Sequence, residues 1–334
     1  MSDIKSISFN GETLNTKFYK EVSSLQMEMI VEDYYSKPNL SEVRRNIHKL
    51  NDDGVMKTKI NDYFFKELYS KVKLNHSKWS IEDVLSSREL LGFVNGKIDS
   101  NEKVYPNKEF NIKNVETVFR IGSKGIAQKP SMFPVKVIRD LLIEFNVINY
   151  HDYACGWGDR LVGSLSAGSN YYGTDVNPLL TKELHSLTHI WKEETLNSNT
   201  VDIRTQGSEV FISEWEGIMD FSFSSPPYFD LEDYKLGVQS WSKGVSFDRW
   251  IIDYLEPTIY NSVRYLRVGG VFGININNTK QHDLVTEAYE ICINSGLRYM
   301  ETRSLKNIKR IKSDGTLFDN GESIMLFVRE EVCE

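Results

Sequence analysis

Ser225-Pro226-Pro227-Tyr228, followed by Phe229, closes a short apolar run, Met219-Asp220-Phe221-Ser222-Phe223, that reads as a strand. Two consecutive prolines cannot continue a central strand, because each lacks an N–H and has φ fixed at about −65°. The chain must leave the sheet there in one rigid shape. Pro226 then offers a carbonyl that no ladder partner claims, with a serine hydroxyl before it and an aromatic ring soon after. Two hydrogen-bond acceptors beside a flat ring suit an exocyclic amino group on a planar base, which is the chemistry of amino methylation. A rigid strand exit with a packing tyrosine is the plainer alternative.

A second motif lies upstream. The run Asn149-Tyr150-His151-Asp152-Tyr153-Ala154-Cys155-Gly156-Trp157-Gly158-Asp159-Arg160-Leu161 reads as strand, glycine turn and helix start. Gly156 and Gly158 let the backbone turn tightly and approach a ligand with no Cβ in the way. A helix beginning near Asp159 aims its N–H groups at the same loop. The pattern is not the G-x-G-x-x-G dinucleotide fingerprint. Tyr171-Tyr172-Gly173-Thr174-Asp175 then reads as a second strand ending in an acid, which can accept hydrogen bonds from both ribose hydroxyls of a nucleoside cofactor. The alternative for Asp175 is a helix N-cap ahead of Asn177-Pro178.

Together these residues resemble the S-adenosylmethionine-dependent amino-methyltransferases of DNA, the N4-cytosine and N6-adenine group. Asp152 to Gly158 resembles the family's cofactor loop, usually D-P-F-x-G-x-G, and Asp175 its ribose acid. Ser225 to Tyr228 resembles the catalytic [DNS]-P-P-[YFW] tetrapeptide, in which a leading serine is commonest among N4-cytosine enzymes. Gly125-Ile126-Ala127-Gln128-Lys129-Pro130 is similar to the Q-K-P segment, which opens a helix beside the methionine end of the cofactor. Leu266-Arg267-Val268-Gly269-Gly270-Val271-Phe272 is similar to the fifth-strand entry, a glycine turn feeding an apolar strand. The resemblance covers residues 119 to 330. Two positions depart from the pattern: Tyr153-Ala154 replaces proline and phenylalanine, and Gln206-Gly207-Ser208-Glu209 stands where many members carry an acid near the adenine ring.

The resemblance implies S-adenosyl-L-methionine as cofactor. It implies contacts from Gln128, Lys129 and Pro130, from Asp152, Ala154, Cys155, Gly156 and Gly158, and from Asp175 and Ser208. The catalytic residues it implies are Ser225, Pro226, Pro227 and Tyr228. Acceptors at Ser225 Oγ and the Pro226 carbonyl would hold the two N–H bonds of the target and aim its lone pair at the methyl group. Tyr228 would stack on the base, a contact worth about 1–3 kcal/mol. In duplex DNA the base must first be flipped out of the stack. Phe229 either extends the stacking wall or packs in the core. Two other readings stay open: a related enzyme acting on RNA guanine N2 or a protein glutamine, and a non-catalytic methyltransferase-like binding module.

Charge bears on the acceptor. The 334-residue chain has a formal net charge of −7, so binding a polyanion requires clustered positive surface. The best cluster is Arg303-Ser304-Leu305-Lys306-Asn307-Ile308-Lys309-Arg310-Ile311-Lys312, with Arg303, Lys306, Lys309 and Arg310 as expected DNA contacts. A smaller one is Arg44-Arg45-Asn46-Ile47-His48-Lys49. An ordinary solvated face is the alternative for each. Cys155, Cys292 and Cys333 are scattered and odd in number, against a disulfide framework. Without a P-C dipeptide the chain lacks the nucleophile of C5-cytosine methylation, and Cys155 reads as a small apolar loop residue. No metal-ligand spacing stands out. The N-terminus has no apolar signal core and no segment is apolar enough to span a membrane, so a cytoplasmic enzyme is expected.

These motifs need a frame. Residues 1 to about 110 read as mainly helical, with Ile60, Tyr63, Phe64, Leu68 and Val72 at helical spacing. Ser80-Ile81-Glu82-Asp83 has capping-box form and opens a helix expected to run through Leu91. This region is assigned by default to target recognition or oligomerisation, leaving a homodimer open, and residues 111–334 form the catalytic domain. Residues 101–114 read as a connector. Helices are expected at 134–145, 159–167, 178–195, 248–266 and 281–295. Strands are expected at 147–153, 171–174, 201–204, 219–223, 271–276, 298–300 and 323–328. That alternation predicts an α/β fold, a Rossmann-like seven-stranded, mostly parallel sheet flanked by helices. The segment between Tyr228 and Asp248, with Tyr234 and Trp241, reads as either a lid or a surface loop.

Overall fold

The computed structural model describes residues 4–53, 59–74, 77–101, 104, 107–122, 126–229, 232–234, 237, 239–241, 244–279, 281–305, 310–311, 317–318 and 323–331. They form two compact units that alternate along the chain. One comprises Met1–Pro38, Phe65–Ser131 and Glu232–Gly237; the other comprises Asn39–Phe64, Met132–Leu231 and Val238–Glu334.

The second unit is built on seven strands: β1 (Asn149–Asp152), β2 (Asn170–Asp175), β3 (Val201–Thr205), β4 (Met219–Ser224), β5 (Leu266–Asn275), β6 (Leu297–Ser304) and β7 (Ser323–Arg329). Their order across the sheet is β3-β2-β1-β4-β5-β7-β6. β1 to β5 run parallel, and β7 is antiparallel to both of its neighbours. Five helices flank them. α1 (Val135–Glu144) packs on α2 (Asp159–Ala167), α3 (Pro178–Thr195) on β2 and β3, and α4 (Glu256–Tyr265) on β4, β5 and α5 (Leu284–Asn294). The α/β fold, Rossmann-like with a seven-stranded, mostly parallel sheet, is therefore as the sequence predicts.

The central strands are apolar because helices cover both faces. Tyr150, Tyr171, Met219, Phe221, Phe223, Phe272 and Ile274 are all buried. From β1 the chain builds outward through β2 and β3, then returns to the other side of β1 for β4 and β5. The order reverses between β1 and β4. Crevices beyond the carboxyl ends of strands at such a reversal are where open α/β sheets bind ligands.

Two expected elements change shape. β5 starts at Leu266 rather than after the glycines, and residues 267–270 bulge out opposite Asp220, with Gly269 at φ 78°. The helix expected over 248–266 is a short piece, Phe247–Trp250, then a wide turn, Ile251–Leu255, then α4. Pro257 has no N–H to give to Asp253, so the helical ladder slips just before it.

The first unit departs from the expected helices in two places. It opens with an antiparallel hairpin, Lys5–Phe9 paired with Glu12–Thr16, around Asn10 and Gly11 at φ 49° and 77°. Positive φ at both turn residues is what a two-residue type I′ hairpin demands, and Asn-Gly supplies it. The Ser80–Asp83 capping box forms, but its helix stops at Leu85; Ser87 caps a second helix, Arg88–Ser100. Ile7, Val22, Trp79, Leu90, Val94 and Val115 share this unit's core.

Candidate functional site

Asp152 ends β1 and is fully buried. Arg160, in the first turn of α2, places Nε 3.1 Å from each carboxylate oxygen of Asp152. Tyr171 donates its hydroxyl to the same group at 2.8 Å. Arg160 also donates to the Ala154 carbonyl. A buried charge left unpaired is costly, so this pair fixes the loop in one shape. Asn61 adds a lock, donating to the Trp157 carbonyl and to Asp159 at 2.8 Å each. Gly156 and Gly158 take φ 54° and 76°, the left-handed region that the turn requires. Gly158 is the N-cap of α2 and has no side chain to cap it, and the first turn of α2 faces the loop. Cys155 is buried against Gly173, where a Cβ would lie 2.5 Å from its sulfur. Burial raises its thiol pKa well above the ordinary value, so it is a neutral packing group.

Asp175 ends β2 and is only half-buried. One oxygen accepts the Gly156 N–H at 3.0 Å and the other the Asn177 N–H at 2.9 Å. Desolvation pushes its carboxyl up to about 6, against those two donors. The cap of α3 is Asn177, whose side chain accepts from Leu179, so the N-cap alternative for Asp175 falls away.

Ser225-Pro226-Pro227-Tyr228 leaves β4 one strand over from the glycine loop. Ser224 Oγ donates to the Ala154 carbonyl at 3.2 Å, binding the two loops together. Tyr153, at the family's proline position, donates to the Ser224 carbonyl at 3.2 Å and the Gly273 carbonyl at 3.0 Å. That departure therefore ties the loop to β4 and β5. Ser225 donates to Asn275 Oδ1 at 2.8 Å, and the Tyr228 hydroxyl donates to the Asn275 carbonyl at 3.1 Å. Asn275 in turn donates to the Ser323 carbonyl at 2.9 Å. Among the described residues none donates to the Pro226 carbonyl. Hydrogen bonds thus follow the carboxyl edge, from Asp175 to the glycine loop, from the loop to Ser224, and from the adjacent Ser225 to Asn275 on β5.

The other expected contacts have the following surroundings. Gln128, Lys129 and Pro130 belong to the first unit; Pro130 is buried, and the Lys129 ammonium lies 4.2 Å over the Tyr69 ring. Ser208 is buried, with its hydroxyl 2.8 Å from that of Thr258 and its carbonyl bonded to Asn261. Phe229 is buried with φ 54° and packs on Trp241, Phe247, Trp250 and His282. Four rings hold a bulky residue in the left-handed region, so the structure gives it the core role. Trp241 is a half-buried part of that packing. Arg303 is engaged by both oxygens of Glu144 and by Glu301. Arg44 pairs with Glu194 at 3.2 Å. Lys306 and Lys309 lie outside the described residues, and Arg310 is described only as backbone in a two-residue strand.

Arg160, Asn61 and Asn275 were not singled out from sequence. Arg160 carried a signal, as the arginine in the first turn after a glycine loop that follows a buried acid. Asn61 and Asn275 carried none, since their partners are 96 and 50 residues away. Among the described residues no His, Cys, Asp and Glu group could hold a metal ion. Among them no helix is long and apolar enough to cross a membrane.

No protein-family model and no curated protein matches the sequence. Solved structures do. A SAM-dependent O-methyltransferase from Thermotoga maritima is similar at 13% identity, covering 62% of this chain and 69% of that one, with a TM-score of 0.42. A 1,6-didemethyltoxoflavin-N1-methyltransferase from Burkholderia thailandensis, solved with S-adenosylhomocysteine, is similar at 12% identity over 59% and 78% of the two chains, TM-score 0.38. The [4+2]-cyclase SpnF is similar at 13% identity over 50% and 58%, TM-score 0.36.

Proposed function

We propose that this chain transfers a methyl group from S-adenosyl-L-methionine to the exocyclic amino group of a nucleic-acid base, N4 of cytosine in DNA ahead of N6 of adenine. The observation that carries the reading is the edge at the sheet's reversal point, where the half-buried Asp175 is bonded to the glycine loop, the loop to Ser224, and Ser225, the next residue, to Asn275. The residues fit the cofactor. Asp175 keeps lone pairs for ribose hydroxyls, and the N-terminus of α2 opens onto a loop without Cβ atoms at Gly156 and Gly158.

The cofactor, when bound, supplies a methyl on a sulfonium: the N–CH3 bond forms from the nitrogen lone pair, the S–CH3 electron pair stays on sulfur, and the surplus proton leaves the nitrogen for water. The protein's part is positioning. Ser225 Oγ and the Pro226 carbonyl accept the two N–H bonds, drawing the nitrogen toward tetrahedral geometry and aiming its lone pair. Tyr228, anchored through its hydroxyl, presents its ring to the base. Residues 1–110 are assigned to target recognition or oligomerisation.

The test is mass spectrometry of nucleosides after incubation with S-adenosylmethionine and mixed DNA and RNA. N4-methyl-deoxycytidine or N6-methyl-deoxyadenosine is expected. Product in RNA alone would move the acceptor to RNA. No product and no cofactor binding would overturn the reading.

A further inference from the structure

We infer that Asn275 is a positioning residue that fixes the polarity of Ser225, making it a hydrogen-bond acceptor and selecting amino-bearing over oxo-bearing bases. The inference rests on the amino-methylation reading of the site and names what decides its substrate class.

The argument is one of donors and acceptors. Asn275 is buried at the end of β5, with 5% exposure, so its carboxamide must find partners within the protein. The Ser323 carbonyl, 2.9 Å from Nδ2, can only accept. The NH2 end of Asn275 must therefore face Ser323, and the amide cannot be flipped. Its oxygen, which can only accept, is then the atom 2.8 Å from Ser225 Oγ. A serine hydroxyl has one proton, and here it is committed to Asn275. What Ser225 shows to a ligand is lone pairs. The Tyr228 hydroxyl is drawn the same way, donating to the Asn275 carbonyl at 3.1 Å and lying 3.4 Å from Oδ1.

A base that offers N–H bonds meets an acceptor at Ser225. A base with a carbonyl in the same place meets a second acceptor, and the serine cannot turn its proton outward without breaking its bond to Asn275. A carboxamide also takes up no proton at ordinary pH, so Ser225 has no relay through Asn275 and acts by orientation, not as a general base. β5 brings this about through register, pairing Ser224 with Ile274 and Asn275 with Ile324 on β7.

The test is equilibrium binding of short single-stranded oligonucleotides to the full chain saturated with S-adenosylhomocysteine. Pairs differ only at the target base, cytosine against uracil and adenine against hypoxanthine. The wild type is expected to prefer the amino base by about tenfold, the worth of one hydrogen bond to a buried group. Asn275→Ala and Ser225→Ala are each expected to lower the preference several-fold, the Pro226 carbonyl keeping the remainder, and the double variant to lower it no further. Unchanged cofactor affinity in Asn275→Ala would show that the fold is intact. Should that variant fold poorly, Asn275→Asp serves as a second probe: its carboxyl accepts the Ser225 proton whether ionised or protonated, so the preference should be kept at every pH, and its loss in that variant would count against the assignment. A preference undiminished in Asn275→Ala, or losses that simply add in the double variant, would overturn the inference. Absence of a methylated product alongside a preference that depends on Asn275 would overturn the amino-methylation reading and leave the polarity assignment standing.

Discussion

Two aspartates end neighbouring strands of the same sheet, and the protein treats them in opposite ways. Asp152 is wholly buried and spends its oxygens on Arg160, Tyr171 and the Ala154 N–H. Asp175 is half-buried, receives two backbone N–H groups and forms no ion pair among the described residues, Arg160 acting on it only as a more distant charge. A guanidinium beside a carboxylate satisfies it and makes it part of the frame. Two backbone donors leave lone pairs free and leave the carboxyl raised to about 6 by desolvation. Residue type and position at a strand end do not separate the two roles. The partner does.

The widest separation should come from truncating each acid. Asp152→Ala leaves the buried Arg160 charge without its counter-ion and is expected to cost about 3–5 kcal/mol in denaturant unfolding. Asp175→Ala removes no such pair, so stability should hold while the dissociation constant for S-adenosylmethionine rises about 10–100-fold. Similar stability losses in both would erase the distinction drawn here.

The next contrast lies along the edge. Tyr228→Ala is expected to lower turnover by about 10–100-fold through lost stacking, with cofactor affinity kept. Asp175→Asn should do the reverse, weakening the cofactor first. Wild-type affinity should also fall as the pH drops through about 6, where Asp175 takes up a proton and ceases to be a full acceptor. In Asp175→Asn calorimetry should find that dependence flattened. Parallel loss of turnover and affinity in Tyr228→Ala would make the loop merely structural.

What the sequence made legible was local. Proline and glycine act through their own backbone chemistry, so the turn at Gly156 and Gly158 and the exit at Pro226-Pro227 could be placed without knowing what packs against them. The alternating frame was legible because its strands and helices carry different hydrophobic periods. The hairpin at Asn10-Gly11 was also written locally and went unread, masked by the helical pattern that follows it. Asn275 and Asn61 are different. An asparagine has no preference that reveals a partner in another strand or helix, and only the register of β5 against β4 shows what Asn275 holds. Arg303 and Arg44 are a similar case: each stands among cations in sequence and pairs with carboxylates in space.

The smallest effect sharpens the comparison from a third group. His151, next to Asp152 in β1, is buried with Nδ1 2.8 Å from Ser222 Oγ and Nε2 without a partner, among Tyr153, Trp215 and Tyr265. Burial pushes its pKa down from 6.5 to about 3. Between those values the unfolded chain binds the proton and the folded one does not, so stability is complete above 6.5 and falls by about 1.4 kcal/mol per pH unit below it. Asp175 pulls the other way: with its carboxyl raised from 3.8 to about 6, the folded chain binds more protons in that window and gains stability as the pH falls. The two slopes oppose each other between pH 4 and 6 in the wild type. His151→Asn, which keeps an acceptor for Ser222, should leave a variant that loses less stability on acidification than the wild type. Asp175→Asn should lose more. Unfolding midpoints at pH 7 and pH 5 decide it, and equal acid sensitivity in all three proteins would mean that neither His151 nor Asp175 holds the protonation state assigned to it here.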